Sequence, residues 1–389
     1  MNTLQKRIAT ALATGSMLLN MALPVSAASY TFEISGNGSE TENDVEFDKE
    51  DNTSVFQTNE SNIVNDISVN SNTGDNDVSD NTNADVVVKT GAAKVYTTIA
   101  NQANVNEAVV EACDCESDIN AKIVGNGTDS DSKIDLDLKN ETAVVQDNVT
   151  DIENVVEVNA DTGKNDVNDN TGGNVELRTG NVVIGTDILN VAGYNTAMVG
   201  GGEGNGGSSI MLKIAENGSD SDNDIEIDKD HMTSIFQMND TSILNDLYLD
   251  GNSGHNDVND NTGDADSDPI LRTGDVTIGT GILNEAGFNG ASADCGCVLD
   301  VHGSILGNGT DSDSKLDLEL DEELEVSQDN ADEFETVGEI ESDTGKNDVN
   351  DNTAGEVDVV TGASLTETVA ANSGGINLFG SIDFEWPWE

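Results

Sequence analysis

The stretch QDNVTDIENVVEVNADTGKNDVNDNT, Gln146 to Thr171, holds the pattern on which the fold turns. Its asparagines Asn148, Asn154, Asn159, Asn165 and Asn170 are spaced 6, 5, 6 and 5 residues apart, and Asn59, Asn65, Asn70, Asn76 and Asn81 repeat that spacing. The rhythm reads as an 11-residue arc of strand, tight turn and strand. Successive arcs would stack, with side-chain amides in ladders at the strand spacing of about 4.8 Å. Short segments such as Ile134 to Leu138, Val86 to Val88 and Asp66 to Val69 alternate or are β-branched, and Asn-Thr-Gly, Gly-Gly and Thr-Gly separate them, which is strand and turn repeated. Thr186 to Leu189 is ambiguous between helix and strand.

Working outward, the whole chain repeats. Asn-Asp-Val-(Asn/Ser)-Asp-Asn-Thr begins at Asn76, Asn165, Asn256 and Asn347. Gln-x-Asn begins at Gln57, Gln146, Gln237 and Gln328, and Asn-Gly-(Ser/Thr) at Asn37, Asn126, Asn217 and Asn308. All three markers step by 89, 91 and 91 residues, so the chain contains four copies of one unit. Copies one and three share Thr-Ser-(Val/Ile)-Phe-Gln at Thr53 and Thr233. Copies two and four share Asn-Gly-Thr-Asp-Ser-Asp-Ser-Lys at Asn126 and Asn308. The larger unit is therefore a pair, and the organisation expected is a signal peptide over 1–27, a module of two copies over 28–199, a Gly-rich linker over 200–207 and a second module over 208–389.

These features predict an all-β repeat fold, a β-solenoid or stacked β-arch array. Tandem immunoglobulin-like sandwiches are the alternative, since about 90 residues suits them too. Aromatic residues make up 4% of the chain and Pro is rare, which favours thin cores in a row over one large core. The Gln57 to Asn62 spacing resembles the Gln-x-x-x-x-Asn element of curlin, the secreted bacterial amyloid-forming subunit. More broadly the chain resembles Asn- and Gly-rich repeat proteins of bacterial surfaces, a resemblance that implies a structural or adhesive role.

Lys6 and Arg7 precede a mostly apolar stretch from Ile8 to Leu23 and the small-residue pattern Val25-Ser26-Ala27, so export with cleavage after Ala27 is expected. No later segment has the apolar run of about 20 residues that a spanning helix needs, and no transmembrane anchor is expected. Net charge is −61, and loss of Lys6 and Arg7 makes it −63. Nucleic acid is excluded as a partner, because binding a phosphate backbone needs clustered Lys and Arg. Cations, other surface proteins, glycans or the chain itself fit better.

Asp-Val-Asn-Asp-Asn, at Asp166 to Asn170, Asp257 to Asn261 and Asp348 to Asn352, is the leading ligand motif, with Asp77-Val-Ser-Asp-Asn81 as its variant. It is similar to the Asp-x-Asn-Asp-Asn calcium motif of cadherins. Hard oxygen ligands beside a Gly-containing turn suit Ca²⁺, so Asp77, Asp80, Asp166, Asp169, Asp257, Asp260, Asp348 and Asp351 are candidate metal ligands and Ca²⁺ the candidate cofactor. The competing structural reading puts Val167 in a thin core, Asp166 and Asn168 in water, and Asn170 in a ladder or turn. Asp129-Ser130-Asp131 and Asp311-Ser312-Asp313 lack the Gly and distant Glu of an EF-hand loop and read as solvated turns.

Cys113, Cys115, Cys295 and Cys297 form two Cys-x-Cys pairs, an even number that suggests disulfides in an exported protein. Residues two apart on a strand are about 6.6 Å apart, near the limit for a bridge. Closure within a pair needs a turn, and cross-linking between modules or chains competes with it. The chain has no nucleophile elbow, His-Glu-x-x-His or phosphate loop, and its carboxylates are repeated, so an enzyme is not expected. Ile382, Phe384, Trp386 and Trp388 alternate at the C-terminus, as a strand capping the last sheet edge or docking a partner would. The function expected is a secreted structural or adhesive component of the cell surface or extracellular matrix, stiffened by Ca²⁺. A glycan-binding or polysaccharide-degrading β-helix protein is the alternative.

Overall fold

The computed structural model describes residues 29–110, 118–200, 208–263, 268–294, 299–353 and 355–380. The export segment, the four cysteines, Gly201 to Gly207 of the linker and the Ile382 to Trp388 strand lie outside the described residues. Each copy of the repeat is one coil. Coil one comprises β1 (Ser29–Ser35), β2 (Glu42–Asn72), β3 (Val86–Lys89) and β4 (Ala93–Val110), and coil two β5 (Asp118–Val124), β6 (Asp131–Asp161), β7 (Val175–Arg178) and β8 (Val182–Gly200). Coil three comprises β9 (Ser208–Ala215), β10 (Asp222–Asn252), β11 (Ile270–Arg272) and β12 (Val276–Asp294). Coil four comprises β13 (Leu299–Leu306), β14 (Asp313–Asp343), β15 (Asp358–Val360), β16 (Ser364–Ser373) and β17 (Ile376–Phe379). No described residue is helical, and no helix is long and apolar enough to cross a membrane.

The coils stack in parallel and in sequence order, giving sheets β1-β5-β9-β13, β2-β6-β10-β14, β3-β7-β11-β15 and β4-β8-β12-β16, with β17 also pairing β12. This is an all-β solenoid. Each long strand is 31 residues, a contour of about 100 Å, while four strands stack to a height of only about 15 Å. Coils two and three pair through all 31 residues, as coils one and two do. The stacking unit is therefore the whole copy. The 11-residue arc anticipated from the asparagine rhythm is not a separate layer, because Asn59, Asn65 and Asn70 all lie on the one strand β2.

Within a coil the chain doubles back, so the long strand faces two returning segments. β1 folds over the start of β2, where the Phe47 ring lies 4.8 Å from Tyr30 and 5.2 Å from Phe32. Stacked above this contact, Ile119, Ala121 and Ile123 meet Ile134 and Leu136, and Ile210, Leu212 and Ile214 meet Ile225 and Ile227, all essentially sealed from solvent. The rest of the long strand faces β4 and its counterparts. There Ala103, Ile152, Ala192 and Ile243 form one thin core, and Val156, Val158, Val182, Ile184, Leu247 and Leu249 contribute to another. Period-2 alternation puts these apolar residues inside and the acidic ones outside.

The turn between long strand and return is built from an Asx-(Thr/Ser)-Gly punctuation. The side chains of Asn72, Asp161, Asn252 and Asp343 accept bonds of 2.7, 2.8, 2.9 and 2.8 Å from the backbone N–H of Gly74, Gly163, Gly254 and Gly345. These glycines are imposed by the neighbouring coil. A Cβ on Gly74 would lie 1.9 Å from the Gly163 carbonyl oxygen, and one on Gly163 or Gly254 2.0 Å from the oxygen of Gly254 or Gly345. Inside the turn, Val167, Val258 and Leu177 make a small buried core.

Candidate functional site: stacked amides and carboxylates

Four asparagine columns run through the interior as two facing pairs. Asn59, Asn148, Asn239 and Asn330 donate each to the next through Nδ2 at 3.1, 3.0 and 2.8 Å. Facing them, Asn106, Asn195, Asn289 and Asn377 do the same at 3.0, 2.9 and 3.0 Å. The two columns are laced together, Asn106 to Asn148 at 2.9 Å and Asn148 to Asn195 at 2.8 Å. Asn148 thus donates to Asn239 and Asn195 and accepts from Asn59 and Asn106, using both hydrogens and both lone pairs of a fully buried amide. Asn65, Asn154 and Asn245 form the second pair with Asn101, Asn190, Asn284 and Asn372, with Asn154 donating to Asn245 at 2.8 Å and to Asn190 at 3.2 Å.

Gln57, Gln146, Gln237 and Gln328 make a further column, linked at 2.7 Å in each step and running in the opposite sense. Each also donates to a carbonyl of the facing layer, as Gln146 does to Thr196 at 2.8 Å. In the turn, Asn76, Asn165, Asn256 and Asn347 and, separately, Asn81, Asn170, Asn261 and Asn352 form ladders of 2.7 to 3.0 Å. Burying so many amides is tolerable because each finds its own kind one strand away.

The Asp-Val-Asn-Asp-Asn motif sits in this turn. Asp77, Asp166, Asp257 and Asp348 pair by single parallel bridges and form one column. Asp80, Asp169, Asp260 and Asp351 share a left-handed backbone, with φ of 59, 54, 50 and 49°. The Asn168, Asn259 and Asn350 amides each donate to the Asp two residues before, and Ser79 does so to Asp77 at 2.7 Å. Val167 is fully buried and Asn170 is in a ladder, while Asp166 and Asn168 are half-buried and Asp169 exposed. Among the described residues, no three His, Cys, Asp or Glu side chains are grouped to hold a metal ion. The columns instead stack like charges. Burial first, then Asp77 and Asp169, pushes the Asp166 carboxyl upward, and burial with Asp166 and Asp348 does the same to Asp257.

The outer face of the long strands repeats this on a larger scale. Asp48, Asp137, Asp228 and Glu319 share one column, and Asp228 is raised by burial and then by Asp137 and Asp230. Lys133 interrupts the acidic field by bonding Asp135 at 2.7 Å and Glu226 at 3.5 Å. A cavity of about 430 Å³ is lined by Lys139, Asn140, Asp230, His231, Asp321 and Glu322 among others. Burial and then Lys229 lower the His231 pKa against the pull of Glu322. Comparison with protein-family models, curated proteins and solved structures returns no match to this chain.

The amides of the returning strand, Asn101, Asn106 and their counterparts, were not among the residues the sequence singled out. Their signal was a five-residue spacing that recurs in each copy. On a regular strand five residues would turn one amide outward. Here Asn104, Gly193, Gly287 and Gly375, with φ of 55 to 68°, form a bulge between the two columns and restore the inward direction.

Two measurements follow. Asn154→Ala leaves Asn65, Asn101, Asn190 and Asn245 each short of a bond in a dry interior, and should lower the unfolding free energy by about 3 kcal/mol or more in a denaturant titration. Asn70→Ala, on the exposed side of β2, should change it by less than about 0.5 kcal/mol. The second is a pH effect. Asp166, Asp228, Asp250, Asp257 and Asp332 all titrate above their unfolded values, so the fold binds more protons than the unfolded chain between those values. Their contribution is present at low pH and lost as pH rises through the folded values. At Asp343 burial is outweighed by bonds from Lys346 and Gly345, so it has the opposite sign. The melting midpoint should rise as pH is lowered from neutrality toward the ordinary carboxylate range, against the opposite pull of His231, whose lowered pKa favours the fold at higher pH, and a fall would refute the dominance of the stacked carboxylates.

Proposed function

We propose that this chain is a secreted structural or adhesive component of the cell surface or extracellular matrix. The observation that carries the reading is that the chemistry-bearing residues are repeated from coil to coil and engaged with their own counterparts. The Gln and Asn columns hold one coil to the next, and the Asp-Val-Asn-Asp-Asn turns recur around the same small Val core. A catalytic site is by contrast a singular arrangement. The export-like start of the chain, its acidity and its likeness to Asn- and Gly-rich bacterial surface proteins support the same reading.

Ca²⁺ is the stiffening ion in this proposal. Stacked carboxylates one strand spacing apart repel, and a divalent cation shared between neighbours in a column relieves the repulsion with oxygen ligands alone. Because no three acidic groups converge among the described residues, the ion would bridge successive coils instead of filling a cage. Glycan binding or polysaccharide cleavage is the second reading. It draws on the cavity beside His231, where Asn140, His231 and Glu322 stand at one register position, so that the three coils that line it each contribute a different side chain there.

Fractionation of the source cells, followed by immunodetection of the chain, should find it in the surface or matrix fraction, and confinement to the cytoplasm would overturn the proposal. Thermal melting of the purified protein should give a midpoint at least about 5 °C higher in millimolar Ca²⁺ than in EDTA. An unchanged midpoint would remove Ca²⁺ from the mechanism while leaving the structural role intact.

A further inference from the structure

The two ends of the stack are built as though another coil lay beyond each. At the coil-four end the inward row is open: Leu316 and Leu318 are 53% and 46% exposed, whereas their counterparts Ile225 and Ile227 in coil three are 0% and 1%. The amides at the two ends are complementary. Among the described residues no donor reaches Oδ1 of Asn59, Asn76 or Asn81 in coil one. In coil four, Nδ2 of Asn347 and of Asn352 each donates only once, to Thr344 at 3.1 Å and to Val258 at 2.7 Å. The glutamine column runs the other way and closes the match. Among the described residues no donor reaches Oε1 of Gln328 at the top, and Gln57 donates only to Glu107, at 2.9 Å.

The glycines point the same way. Inside the stack, Gly74, Gly163 and Gly254 cannot carry a Cβ because the coil above is in the way. Gly180, Gly274 and Gly362 cannot because the coil below is, at 2.3, 2.2 and 2.2 Å from its carbonyl oxygen. At the ends those neighbours are missing. A Cβ on Gly345 would meet nothing nearer than Asp343 Oδ1 at 3.7 Å, and one on Gly91 nothing nearer than a Thr73 methyl at 3.9 Å. Neither has a positive φ, so neither needs to be glycine for its own conformation. Both are glycine where a further coil would require it.

We infer that this protein stacks head to tail on a second copy of itself, coil one of one molecule seated on coil four of the next, in the register that joins its own coils. The inference deepens the structural reading above and rests on it. The contact is heterologous, so it is open and repeats along the stack axis. It continues the amide columns other than that of Asn65, which Thr336 ends, and covers the Leu316 row. It also sets Asp313, Asp317, Glu319 and Asp321 over Glu42, Glu46, Asp48 and Glu50, so association should strengthen as salt screens them.

The test uses substitutions that only a neighbouring molecule would feel. In about 1 M NaCl, sedimentation velocity of the purified protein should show a concentration-dependent series of oligomers, and negative-stain microscopy rods lengthening along the stack axis. Gly345→Ala and Gly91→Ala should each keep the native circular dichroism spectrum and melting midpoint and associate at least tenfold more weakly. Gly163→Ala, which meets the same clash inside one chain, should instead lower the midpoint. Mixed in equal amounts, the two end variants retain one good end each and should stop at 1:1 dimers. A native protein that stays monomeric at every salt concentration, or end variants that associate as strongly as it does, would overturn the inference. A monomer still found in the surface fraction would mean that only the stacking had failed, whereas a chain confined to the cytoplasm would count against the structural role itself.

Discussion

Parallel stacking in register imposes one condition on every position of this protein: the residue there must tolerate its own counterpart about 4.8 Å away, above and below. The condition sorts side chains by chemistry. An amide is its own best partner, since it carries donor and acceptor together, and so Asn and Gln occupy sealed interior positions that would reject a Ser or Asp. Branched apolar residues pack on one another, and Val167 and Val258 or Ile225 and Ile134 serve equally. Carboxylates are poor partners for themselves and are kept mostly to the outer face and the turns, where water and a few lysines dilute the repulsion. Glycine is required wherever two coils approach closer than a Cβ permits.

That condition also explains how much of the architecture the sequence disclosed. The 89- and 91-residue steps of three markers are the coil itself, because a residue locked to its counterpart cannot drift in register. The Asn-Asp-Val motif was legible to nearly the same degree: Val167 inside and Asn170 in a ladder follow from its alternation, whereas Asp166, expected in water, is half-buried. The shorter rhythm misled. A six-residue interval keeps two amides on one side of a strand, and Asn59 and Asn65 do share the interior. A five-residue interval does not, so Asn70 faces outward and the apparent 11-residue arc dissolves into one long strand. Only a bulge reverses that arithmetic. The bulges at Asn104 and Gly193 rest on a left-handed φ that Asn and Gly adopt readily but that spacing alone does not announce.

The polar interior changes how stability is distributed. In a close-packed globular core, large apolar residues supply both cohesion and shape. Here Ala and Ile fill the thin cell between amide columns, and each column fixes register more sharply than it adds cohesion, because a slip of one residue would leave a row of buried amides unpaired. Specificity and cohesion are thus divided between different residues. The acidic outer face adds nothing to cohesion and in part opposes it, yet a long exposed sheet covered in charge resists sideways aggregation.

A stack so built has no intrinsic length. Stability in such a quasi-one-dimensional fold is roughly a sum over coils and the interfaces between them, and the four described coils have three interfaces and two ends. Half of its coils are therefore end coils. A terminal coil that carried Pro, a bulky residue or a charge in place of an inward amide would close the stack. Coil one keeps Gln57, Asn59, Asn76 and Asn81, and coil four keeps Gln328, Asn330, Asn347 and Asn352, the residues of an internal coil. Coil four departs chiefly at Asp332, Thr336 and Gly338, where inward positions carry an acid, a hydroxyl and no side chain, and Thr336 ends the Asn65 column without blocking its neighbours. Among the described residues, the ends of this stack thus lack the chemistry of a cap and carry that of an interface.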